Sequence, residues 1–141
     1  MKRPSAPALL EKAAGLERRV VVELGAGPEI TVEADPDQIE QVLINLVKNA
    51  ADACGEREGA GIRIGWSATA DEVRIAIEDD GPGVGDTANL FVPFFTTKSG
   101  GSGIGLVLSR QIVEGHEGEL SLTSRPERAG AIALVRLPLP P

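Results

Sequence analysis

The sequence predicts an α/β (α+β) two-layer sandwich, a mixed, mainly antiparallel sheet covered on one face by helices. Three observations carry this. Alternating apolar and polar runs come in adjacent pairs, GIRIGWSA with DEVRIAIED and GELSLTS with GAIALVRLPLP, which is the pattern of hairpins. Helical stripes fall between these pairs rather than after every strand, as a doubly wound parallel sheet would require. The chain has 141 residues, enough for one core and too few for two comfortable domains, and its apolar share, 42%, is mainly Val, Ile, Leu and Ala, with three Phe, one Trp, one Met, one Cys and no Tyr.

Taken in order, SAPALLEKAAGL predicts a short helix from Ser5 to Leu16, and RRVVVEL a strand from Arg18 to Leu24. GAGP turns the chain, and EITVEAD predicts a second strand, Glu29 to Ala34, antiparallel to the first in a hairpin. Asp35 then supplies an N-cap oxygen, Pro36 a pre-set φ, and Gln38 a capping-box partner. The helix that follows, Pro36 to Cys54, has Ile39, Leu43, Leu46, Ala50 and Ala53 on a core-facing stripe. Its other face carries Gln38, Gln41, Asn45, Asn49 and Asp52. Asparagine is a poor helix former, so two of them one turn apart fit a functional pair about as well as two ordinary surface residues. Two alternating runs joined near Thr69 to Asp71 predict a hairpin that ends at Asp79. From Gly81 to about Gly101 no regular pattern holds, long for a connection in a compact domain, and Phe91, Phe94 and Phe95 all fall there. Helical spacing returns over Val107 to Gly115, with Leu106, Ile112 and Val113 inward, and two last strands flank a turn around Pro126 to Gly130.

The net charge of −7 argues against a nucleic-acid partner, which would need a basic stripe. A lone Cys54 allows no internal disulfide and suits a reducing compartment. No apolar stretch reaches the ~18 residues of a membrane span. The opening MKRPSAPALLEK lacks the apolar centre of a signal peptide, and a cytoplasmic location is expected.

Several residues suggest chemistry. GSGIGL, from Gly101 or Gly103 onward, opens a helix, where unsatisfied N–H groups favour anions and glycine admits a phosphate. Lys98 just before it can add positive charge, though a loop lysine is more often a solvated surface residue. Asn49 can give an oxygen to Mg²⁺. Asp79, at a strand end, can accept a hydrogen bond from the amino group of a purine, with Gly81 and Gly83 leaving room for a flat ring.

In this order and spacing, QVLINLVKNAADA, DDGPGV, LFVPFFTTK and GGSGIGL resemble the asparagine box, first glycine box, phenylalanine box and second glycine box of sensor histidine kinases, and the resemblance covers the chain from Val20 onward. It implies ATP and Mg²⁺ bound between a mixed sheet and helices under a mobile lid, with 18–141 as the ATP-binding catalytic domain and 1–17 as a helical or linker segment. It implies that Asn49 carries Mg²⁺, that Asp79 reads adenine while Asp80 points to solvent, and that Lys98 with Gly101, Ser102, Gly103, Ile104, Gly105 and Leu106 approaches the phosphates. Asn45, Asp52, Gly81 and Gly83 complete the implied nucleotide site, with Asn49 and Lys98 in the catalytic roles.

The phosphate acceptor of such kinases is a histidine on a helical dimerisation domain, and the only histidine here is His116, after a helix, where a helix-end role suits it. The expectation is therefore an isolated, monomeric catalytic domain, excised or naturally short, that needs a histidine-bearing partner domain and acts indirectly on a response regulator. One turn before Asn49, Asn45 stands where hydrolysing members of the superfamily have a glutamate, which favours transfer over hydrolysis. NAADA and PFFTTK are most similar to the nitrogen-regulation branch. A nucleotide-responsive binding module without transfer, or an anti-sigma-factor-type serine kinase, are the alternatives.

Overall fold

A computed structural model describes residues 2–55, 59–81, 104–124 and 130–139. The elements are α1 (Ala6–Leu16), β1 (Val21–Leu24), α2 (Pro36–Cys54), β2 (Gly61–Ala68), β3 (Glu72–Asp79), α3 (Ile104–Gly115), β4 (Glu119–Ser124) and β5 (Ala131–Pro138). The five strands form one sheet in the order β1-β2-β3-β5-β4. β1 pairs parallel with β2, and the other pairs are antiparallel. Helices and sheet form the two layers expected from the sequence.

Alternation along the strands makes one face of the sheet apolar. Ile62 and Ile64, then Val73, Ile75 and Ile77, then Ala131, Ala133, Val135 and Leu137, are buried against the helices. Registers such as Ile64 opposite Ile77 and Ile75 opposite Val135 keep these side chains on one side. α2 is buried over a broader arc than its sequence stripe, because Val42, Val47, Ala51 and Cys54 join Ile39, Leu43, Leu46 and Ala50 in the core, while Ala53 is half-buried. α2 packs on α1, α3 and the sheet at once, so more than one of its faces meets apolar neighbours. α1 sends Leu9, Leu10 and Ala13 into the same core.

Two local expectations are corrected. Glu29 to Ala34 does not form a hairpin with β1. β1 pairs with β2 instead, and the alternation in EITVEAD is satisfied by the N-terminal segment, with Ala6 N–H bonded to Ile30 O, Val32 N–H to Pro4 O and Ala34 N–H to Lys2 O. Val32 and Ala34 are buried as that alternation requires. Trp66 Nε1 donates to Pro28 O at 2.8 Å and its ring lies against Gly27, holding the connection across β2 instead of letting it fold back on β1. At the start of α2, Asp35 caps as expected, its Oδ1 accepting from Asp37 N–H at 3.0 Å and Gln38 N–H at 3.3 Å. Gln38 does not complete the capping box, because the Asp35 N–H donates to His116 Nε2 at 3.2 Å.

The β2–β3 turn is closed by Thr69, whose Oγ1 accepts from Asp71 and Glu72 N–H. α3 begins three residues before its expected start. Among the described residues no helix is long and apolar enough to cross a membrane. The phenylalanine segment, Phe91 to Phe95, and the turn at 125–129 lie outside the described residues.

Candidate functional site

Asp79 ends the buried row of β3. Val73, Ile75 and Ile77 precede it at steps of two, so its carboxylate falls on the helix-covered face and is 4% exposed. A carboxylate there needs hydrogen bonds. Its Oδ1 accepts from Gly81 N–H at 2.8 Å and from Ala131 N–H at 3.2 Å. The β3–β5 ladder runs to Glu78 opposite Ile132, and beyond it the Asp79 side chain takes the next β5 donor. The orientation of the carboxylate is therefore set by backbone on two sides.

Asp80 lies one residue on and on the other face. It does not point freely to solvent, as the sequence led us to expect. Its Oδ1 accepts from Arg63 Nη2 at 2.9 Å and its Oδ2 from Gly61 N–H at 3.1 Å, and the Asp80 carboxylate raises the Arg63 pKa. Arg63 is on the open face of β2 because Ile62 and Ile64 face the core, so period two separates the two acids of DDGPGV. A cavity of about 520 Å³ lies on the Asp80 side, lined by Arg19, Glu23, Gly61, Arg63 and Asp80 among others. Asp79 does not line it.

Gly81 brings the acidic turn against α2. A Cβ built there would stand 2.7 Å from Ala53 O and 2.9 Å from Ala53 Cβ. The glycine is thus required by a backbone approach to α2, beyond any room it leaves for a ring.

On α2, Asn45, Asn49 and Asp52 are half-buried and Gln41 is exposed. Gln41 Nε2 donates to Asn45 Oδ1 at 3.0 Å, and Asn45 Nδ2 donates to Ser109 Oγ on α3 at 3.4 Å. At the other end of α3, His116 Nδ1 donates to Ile112 O at 2.8 Å and Nε2 accepts from Asp35 N–H. Residue 109 meets 45 while 116 meets 35, so the two helices run antiparallel. At ~1.5 Å of rise per residue, Ile104 lies about 7.5 Å along α3 from Ser109, and Asn49 lies about 6 Å along α2 from Asn45 in the same direction. Asn49 and the first turn of α3 are therefore at one level. Asp52 is engaged by Arg19, which bonds it together with Glu17 and Lys48 O. These bonds, with Glu17 first and Asp52 second, raise the Arg19 pKa.

The structure thus brings together Asp79 and Gly81 at the end of β3, and Asn45 and Asn49 on the α2 face turned to α3. Gly105 is exposed on the first turn of α3, and Leu106 is half-buried against the core. Gly83, Lys98, Gly101, Ser102 and Gly103, and the side chain of Ile104, lie outside the described residues. No group of three or more His, Cys, Asp or Glu able to hold a metal occurs among the described residues. Sequence reasoning missed Ser109, Arg19 and Arg63. Ser109 had a signal, since it stands on the inward stripe of α3 with Leu106, Ile112 and Val113 where an apolar residue is the rule.

Comparison with known proteins shows the family and the fold. The family described as histidine kinase-, DNA gyrase B- and HSP90-like ATPase matches residues 34–141. The sensory histidine kinase/phosphatase NtrB of Rhizobium meliloti strain 1021 is 37% identical over 132 residues, covering 82% of this chain and 35% of that protein. The chain therefore spans about a third of the length of this curated relative. The catalytic domain of histidine kinase ThkA, in a nucleotide-free form, superposes with a TM-score of 0.82 at 31% identity, covering 98% of this chain and 96% of that one. The structure of ThkA in complex with the response regulator protein TrrA matches with a TM-score of 0.82 at 27% identity, over 99% of this chain and 42% of that one. The chain belongs to the histidine kinase-, DNA gyrase B- and HSP90-like ATPase family, as an ATP-binding catalytic domain of the sensor histidine kinase kind.

Proposed function

We propose that this domain binds Mg²⁺-ATP and presents its γ-phosphoryl group to a histidine on a separate helical dimerisation domain, from which a response regulator is phosphorylated in turn. The observation that carries the reading is the buried Asp79 carboxylate, held by two backbone N–H groups at the seam between sheet and helices. It is an acceptor in a fixed orientation and suits the exocyclic amino group of adenine. The donor set also suits a hard cation: Asn49 offers a neutral amide oxygen level with the start of α3, and Mg²⁺ characteristically takes few protein oxygens beside phosphates and waters. When bound, the ion neutralises phosphate charge.

Asn49 would hold the ion by its amide oxygen. The N–H groups opening α3, with Gly101, Ser102, Gly103 and Gly105, receive the phosphates, and Lys98 adds a point charge. Leu106 and Asp52 border the site, Asp52 about one turn beyond Asn49 on α2. Gly83 lines the adenine side. Asn45 carries no carboxylate, and its amide already bonds Gln41 and Ser109, so that position supplies no general base for water, and transfer prevails over hydrolysis. With His116 bonded at both ring nitrogens, the acceptor histidine comes from another domain. The isolated domain is monomeric, works on cytoplasmic ATP, and does not autophosphorylate alone. The likeness to NtrB favours the nitrogen-regulation branch.

Calorimetry with ADP and an ATP analogue tests the site. Asp79→Asn should weaken binding by at least about tenfold, because the charge-assisted acceptor becomes half donor. Equal affinity in the variant removes Asp79 from the site. Labelled ATP supplied with a histidine-bearing hairpin domain should label that domain. Label on a serine of an anti-sigma-factor antagonist instead, or no label at all, rejects histidine transfer.

A further inference from the structure

Among the described residues two polar or charged side chains are buried, Asp79 and Ser109. Asp79 has a place in the proposed site. Ser109 has none, although its side chain is fully buried and it stands on the inward stripe of α3, where an apolar residue is the rule. A buried hydroxyl is unfavourable unless it is hydrogen-bonded, so its partner is the clue. That partner is Asn45 Nδ2 at 3.4 Å, and Asn45 is itself oriented by Gln41 Nε2 on its Oδ1 at 3.0 Å.

We propose that Ser109 is a positioning residue for the phosphate end of the nucleotide site: through Asn45 it sets the spacing and register of α3 against α2, and so the distance between Asn49 and the N–H groups that open α3. This rests on the functional reading above. The Gln41–Asn45 bond settles which end of the Asn45 amide faces α3, and the donor it presents is received by the one hydroxyl on the facing stripe. Asn49 is a turn further along α2 at the level of the first turn of α3, so a shift between the helices at the Asn45–Ser109 contact is carried directly to the pair of groups that would share one Mg²⁺-phosphate unit. At 3.4 Å the contact is long for a hydrogen bond, and it should tighten when nucleotide is added.

Ser109→Ala is a clean test because alanine is the better helix former and leaves no buried hydroxyl, so the variant should melt at the same temperature or higher. We expect the gain in ADP affinity on adding Mg²⁺, measured by calorimetry against EDTA, to fall about three- to tenfold, the range of one hydrogen bond. Affinity in EDTA should stay within about twofold, since the adenine contacts are elsewhere. In the nucleotide-free protein, the Asn45 side-chain amide resonances should exchange faster with water in Ser109→Ala than in wild type, and Ser109→Thr, which keeps the hydroxyl, should restore both readouts. A structural role alone would lower the melting temperature and both affinities together. An unchanged Mg²⁺ gain with unchanged Asn45 exchange overturns the proposal while leaving the functional reading intact. Failure of wild type to bind nucleotide overturns that reading and, with it, the role of Ser109.

Discussion

At the scale of single residues, the site depends on which face each side chain takes. Asp79 and Asp80 are adjacent and chemically alike, yet one ends an apolar row inside the protein and the other pairs with Arg63 on the open sheet face. The difference is the period of two along β3, which was present in EVRIAIED and sufficed to separate them. Gly81 shows the opposite case. DDGPGV announces a turn, but the 2.7 Å approach of a would-be Cβ to Ala53 O exists only once α2 is packed on β3. Gly81→Ala should therefore force the turn away from α2, at a cost of about 1–3 kcal/mol for an overpacked contact, and tilt the carboxylate whose Oδ1 the Gly81 N–H holds. Urea unfolding should show the loss of stability, and nucleotide titration of the folded variant a weaker affinity. A variant as stable and as tight as wild type would mean that the turn adapts freely.

At the scale of elements, α2 organises the site because both of its ends are tied to something else. Its first turn is capped by Asp35, whose own N–H is held by His116 from the end of α3. Its last turn ends at Gly55 with φ of 58°, a conformation glycine adopts without strain. Between them, Arg19 ties the segment after α1 to Asp52 and Lys48 O. Asp35→Ala removes the cap oxygen and should destabilise the domain by about 1 kcal/mol, read as a lower urea midpoint with the same slope. Because the Asp35 backbone N–H survives, the contact with His116 should persist. Its loss, seen in the His116 ring resonances, would show that the carboxylate also sets the backbone there.

At the scale of the whole molecule, one face of the sheet is covered by helices and the other meets water. The open face is laced by ion pairs: Arg136 Nε bonds Glu72 Oε2 at 2.8 Å, and Arg74 Nε bonds the same oxygen at 2.9 Å. Arg136, the stronger influence, and Arg74 hold the Glu72 carboxyl down to about 2 from an ordinary 4.5. A carboxyl depressed on folding stabilises the native state fully above its unfolded value and loses that contribution as pH falls toward its folded value. The stability difference between wild type and Glu72→Gln should therefore be constant above pH 4.5 and shrink as pH falls from 4.5 toward 2. High salt should narrow it at neutral pH, since the pair is solvent-screened. Parallel acid titrations of the two proteins would refute this if the difference held constant with pH.

The sequence by itself determined the layer architecture, the start of α2, the paired strands and the ordered motifs of the family, because each is written in local periodicity, capping chemistry or spacing. It also named Asp79, Asn45 and Asn49 as candidates, and the structure places them at the end of β3 and on the α2 face turned to α3. Partners were another matter. EITVEAD reads as a strand whatever lies beside it, and only the packed chain assigned it to the N-terminal segment rather than to β1. Gln38 had the right offset for a capping box, but a histidine some eighty positions away offered the Asp35 N–H an acceptor. Ser109 meets Asn45, and Arg19 meets Asp52, across separations that no local pattern encodes. Backbone hydrogen bonds and buried polar groups must be satisfied by whatever the tertiary fold brings within about 3 Å, and that choice among distant partners is made only when helices and sheet close on one core.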